Sequence, residues 1–131
     1  MQPLQAMNSL ILLVDNDSSW SPLVWAAERG GEPAEDGRTV VAERRGWLAI
    51  HHDPNVLDDF AHDEKAEAVA ALVDPAIFVV EWEGNQLVEP FVRAVPLHCR
   101  VYVDNDRGLF APVTLLRDLP FGAWARAVAL Q

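Results

Sequence analysis

The sequence predicts an α+β fold: a single acidic globular domain over residues 1–131, with an antiparallel-rich sheet of about five or six strands packed with two or three helices. Three observations predict it. Leu10-Ile11-Leu12-Leu13-Val14 is an unbroken apolar run of strand length, the pattern of a strand buried on both faces. Ser21-Pro22 and Asp53-Pro54 are both cap-then-proline pairs, and each opens a stretch of helical period. The last third alternates apolar and polar residues between turn signals, which reads as a C-terminal meander.

In chain order, the first strand ends at Asp15-Asn16-Asp17. Ser21 caps a helix through Leu23–Arg29, and Gly30 stops it. Residues 30–37, rich in Gly, Pro and Asp, form a loop. Thr39–Glu43 and Trp47–His51 flank Arg44-Arg45-Gly46, a hairpin with a glycine free to take positive φ. From Asp53 to Val73 the stripe Leu57, Phe60, Ala61, Ala68, Val69 and Leu72 indicates helix, in one piece or two. Asp63 provides a second cap, and Asp74-Pro75 ends the segment.

Ile77–Glu83 alternates as a strand. Gly84-Asn85 reads as a two-residue hairpin turn, which places Trp82 opposite Leu87 and Phe78 opposite Phe91. Pro90 then marks an edge or a bulge. Cys99, Val101 and Val103 share one strand face, Asn105-Asp106-Arg107-Gly108 turns the chain into Leu109–Leu116, and Pro120–Leu130 reads as a short helix. Val-Asp-Asn-Asp occurs at 14–17 and at 103–106, each time ending an apolar strand.

The chain carries 20 acidic and 10 basic side chains. The imbalance is concentrated between Gly46 and Val92, where ten acids meet one base, Lys65, for a net −9. A field of this sign repels nucleic acid and anionic membrane and attracts basic partners. Half the residues are apolar, so the acidity does not signal disorder. Cys99 is the sole cysteine, which excludes an internal disulfide and fits a reducing compartment. The run at 10–14 is too short to span a bilayer or serve as a signal core, so a cytoplasmic location is expected. Arginine makes up nine of the ten bases, a usage that fits a bacterial genome.

Candidate chemistry is sparse. His51, His52, Asp53, Asp58, Asp59, His62 and Asp63 are the densest set of possible ligands. Adjacent histidines on a strand face opposite ways, and no H-x-x-x-H spacing exists. No metal and no cofactor is therefore expected. Asp63-Glu64-Lys65 contains the acid-x-Lys element of some nucleases, but it opens a helix, and a net −10 chain is poorly suited to cleave DNA. His98 and Cys99 diverge on a strand and cannot form a dyad. Leu10–Asp15 resembles the first strand of a response-regulator receiver domain, but the meander excludes a doubly wound sheet. Most of the five tryptophans fit core stripes.

These exclusions leave a non-enzymatic binding protein for a basic protein partner. Its most concrete form is a bacterial immunity or antitoxin-type inhibitor that occludes the basic cleft of a toxin, a nuclease among the candidates. The expected partner-binding residues are Asp58, Asp59, Asp63, Glu64, Glu67, Glu81 and Glu83. The alternatives are an enzyme with a His/Asp site within residues 51–63, or an assembly subunit that pairs through a sheet edge.

Overall fold

A computed structural model of the chain describes residues 8–16, 19–53, 72, 74–104 and 110–116. They form an α+β arrangement around one seven-stranded, wholly antiparallel sheet, slightly more strands than the sequence suggested. The elements are β1 (Asn8–Val14), α1 (Pro22–Glu28), β2 (Glu32–Pro33), β3 (Thr39–Glu43), β4 (Gly46–His52), β5 (Ala76–Glu83), α2 (Asn85–Arg93), β6 (Val101–Asp104), β7 (Phe110–Pro112) and α3 (Val113–Leu116). Their order across the sheet is β2-β3-β4-β5-β1-β6-β7.

β1 lies inside the sheet because it is apolar on both faces. Leu10, Leu12 and Val14 enter the main core, while Leu13 enters a smaller cluster on the opposite face with Leu72 and Ile77. It pairs with β5 on one side (Leu12 opposite Phe78) and with β6 on the other (Leu12 opposite Val103). β5 and β6 therefore run parallel with β1 between them, and a crossover is needed to join them. α2 is the helical part of that crossover.

The main core fills the first face of the sheet. Val41, Leu48, Ile50, Val80, Trp82, Val101 and Val103 point there, under Trp25 and Ala26 of α1 and Leu87, Val88, Phe91 and Val92 of α2. Phe91 joins the two helices: its ring centroid is 4.9 Å from Trp25, edge-on, and 5.7 Å from Trp20. Edge-to-face pairs of this kind add stability beyond the area they bury. α1 begins as its sequence indicates. Pro22 occupies the first turn, the Leu23 amide donates to Ser21 Oγ at 3.2 Å, and Gly30 leaves the helix at φ +78°.

Four expectations are corrected. The segment after Gly84 is the helix α2, not the second arm of a hairpin, so Leu87 and Phe91 do not lie opposite Trp82 and Phe78. Leu87, Val88, Phe91, Val92 and Val95 are all buried, a 3.6-residue period that a strand would split between two faces, with Glu89 on the apolar side. Pro90 accordingly sits inside a helix, and the prolines near sheet edges are Pro33 and Pro112. Residues 30–37 are not wholly loop, because Glu32–Pro33 pairs with β3 as an edge strand. Gly46 opens β4 without positive φ. The hairpin turns on Arg44 and Arg45, and a Cβ at Gly46 would run into the Glu83 carbonyl. Finally, Leu109–Leu116 is not one strand. Within it the described residues are the three-residue β7 and the single turn α3. Of the helix expected over Asp53–Val73 only Asp53 and Leu72 are among the described residues, and the helix expected over Pro120–Leu130 and the turn at 105–108 lie outside them.

Cys99 is buried in the main core with Val101 and Val103, as expected, but it lies in the turn before β6, its amide donating to the Pro96 carbonyl, and not on the strand face where the sequence placed it. Trp25 and Trp82 are buried and Trp20 packs against the same core, while Trp47 is half-buried. Trp124 lies outside the described residues. The antiparallel sheet keeps the receiver resemblance excluded on firmer ground than the meander did.

Candidate functional site

The second face of the sheet carries the chemistry. Register fixes its membership: opposite one another lie Val40 and Ala49, then Ala49 and Glu81, then His51 and Val79, then Trp47 and Glu83. All of these point away from α1 and α2. Ala49 is buried, Val40, Trp47, His51 and Val79 are half-buried, and Glu83 is exposed.

The five-residue turn between β2 and β3 brings a second group of side chains to this face. The Ala34 amide donates to the Arg38 carbonyl at 2.7 Å, and Gly37 adopts φ +90° beside the His51 ring. Within the turn, Asp36 accepts from the Arg38 amide at 3.1 Å and from Arg38 Nε at 2.8 Å. The amide bond is the main reason the Asp36 carboxyl is held below the usual carboxylate range; the Arg38 guanidinium adds to it, and desolvation opposes both. Arg38 Nη1 also reaches Glu81 Oε1 at 3.4 Å, which ties the turn to β5.

Asp53 continues the ladder beyond β4, its amide donating to the Ile77 carbonyl at 2.9 Å. Together Asp36, Arg38, His51, Asp53, Val79 and Glu81 line an open depression of about 380 Å³. It holds three carboxylates against one guanidinium, with an imidazole at its wall. Among the described residues no group of three or more His, Cys, Asp or Glu side chains is placed to hold a metal ion.

The sequence-predicted residues divide as follows. Glu81 lines the depression, and Glu83 lies two residues along the same face of β5. Asp58, Asp59, Asp63, Glu64 and Glu67 lie outside the described residues, as does His62. His51 and His52 do face opposite ways: His51 lines the depression, whereas the His52 ring is 5.2 Å from Phe78 on the other face. Asp36, Arg38 and the placement of Asp53 were missed. Asp36-Gly37 marked the turn, but nothing local shows that the turn folds onto β5, a contact 43 residues away in sequence.

Two other features complete the polar inventory. Asp15 and Asp104, the first acids of the repeated Val-Asp-Asn-Asp, are both buried, and Arg100 Nε meets Asp15 Oδ2 at 2.9 Å. Ser19 Oγ lies 3.3 Å from His98 Nε2, both side chains being exposed.

Comparison with protein-family models, with curated proteins and with solved structures finds no match for this chain. Among the described residues no helix is long and apolar enough to cross a membrane.

Proposed function

We propose that this protein is a non-enzymatic binding protein for a basic protein partner, of the immunity or antitoxin type, which neutralises a toxin by covering its basic cleft. The observation that carries it is charge. The chain is −10 overall, with −9 between Gly46 and Val92, and the polar depression on its second sheet face holds three carboxylates around one arginine. Complementary charge speeds the encounter with a basic partner, and partly desolvated carboxylates then resist dissociation. An acidic surface also competes for a nucleic-acid-binding cleft by presenting the same sign of charge as the phosphate backbone.

The experiment is to purify the products of the reading frames that flank this protein's gene and measure binding to each. A basic product that binds at one-to-one stoichiometry, loses its toxicity when co-expressed, and associates more slowly as salt rises supports the proposal. Replacing Asp59, Glu64 and Glu67 with lysine is expected to slow that association at low salt by about an order of magnitude, with a smaller difference at high salt. If no flanking product binds, or if binding is indifferent to salt, the proposal fails.

A further inference from the structure

We draw no further inference here: the strongest candidate, the cavity of about 250 Å³ at the corner of β6, β7 and α3, lined by Leu72, Leu97, Arg100, Tyr102 and Thr114 among others, carries nothing, because Arg100 is already matched by the buried Asp15 at 2.9 Å and nothing in the structure shows what covers the apolar wall beside it.

Discussion

Two residues on the β3–β5 side of the sheet show how single positions set local geometry. Gly84 takes φ +81° between β5 and α2, and a Cβ there would lie 2.8 Å from the Arg45 carbonyl oxygen. The positive-φ extended backbone, a region kept essentially for glycine, alone disfavours alanine by about 1–3 kcal/mol, and the contact adds to that. Gly84→Ala is therefore expected to lower the urea midpoint with an unchanged denaturant slope; an unaltered midpoint would show that the turn has an easy alternative. Asp36 makes the second case. Its folded carboxyl is held below the usual range, so the charged form stabilises the β2–β3 turn. That contribution is fully present above the ordinary aspartate value and is lost as pH falls through the lowered folded one. Carboxyl ¹³C titration should place Asp36 below a free aspartate, and Asp36→Asn should remove the acid-dependent loosening of the Asp36–Arg38 contacts. A midpoint at or above the ordinary value would contradict the hydrogen-bonded geometry.

At the scale of elements, α2 is the most instructive. It is a nine-residue helix with a proline at its sixth position, and it packs through Leu87, Val88, Phe91 and Val92. Pro90 cannot donate to the Gln86 carbonyl, and a proline inside a helix is disfavoured by about 3 kcal/mol. Pro90→Ala restores the donor but removes some packing, so a net gain of about 1 kcal/mol in unfolding free energy is expected. A loss would mean that the ring's contacts outweigh its backbone penalty. The same segment shows why part of the fold was legible in the sequence and part was not. β1, α1, β5 and the β3–β4 hairpin each declare themselves within about ten residues, through an apolar run, a cap, an alternation or a turn. Gly84-Asn85 imitated a hairpin because glycine serves a strand-to-helix reversal as readily as a strand-to-strand one. The stripe at 87, 88, 91, 92 and 95 was the contrary signal. The polar depression was half legible: Glu81 follows from the run of acids, but Asp36, Arg38 and His51 meet it only through the β3–β4–β5 register, which no local pattern encodes.

For the whole molecule, a charge of −10 on 131 residues implies self-repulsion in the compact state. Raising salt from about 10 mM to about 0.5 M shortens the screening length well below the dimensions of the domain, and stability should rise. Urea unfolding at the two salt concentrations tests this. A fall in midpoint would indicate that ion pairs such as Arg100–Asp15 and Arg38–Asp36 outweigh the repulsion. If the repulsion dominates, a basic partner stabilises the protein by relieving it, and the melting temperature should rise with partner concentration.

The position of β1 governs how such a molecule can be assembled. This strand precedes all the others in the chain, yet its two hydrogen-bonding neighbours, β5 and β6, follow it by some 60 and 90 residues. Contacts so distant in sequence make folding slow relative to helical domains, because long loops must close before the rewarding contacts form. During synthesis β1 emerges first and waits for both neighbours: the β2–β5 ribbon can close onto it once β5 is made, and its other margin stays open until β6 follows. Removing residues 8–14 would split the sheet into a four-stranded piece and a two-stranded piece, each with a newly exposed apolar edge prone to aggregate. A peptide carrying those seven residues, supplied in trans, is the natural splint for such a truncated chain.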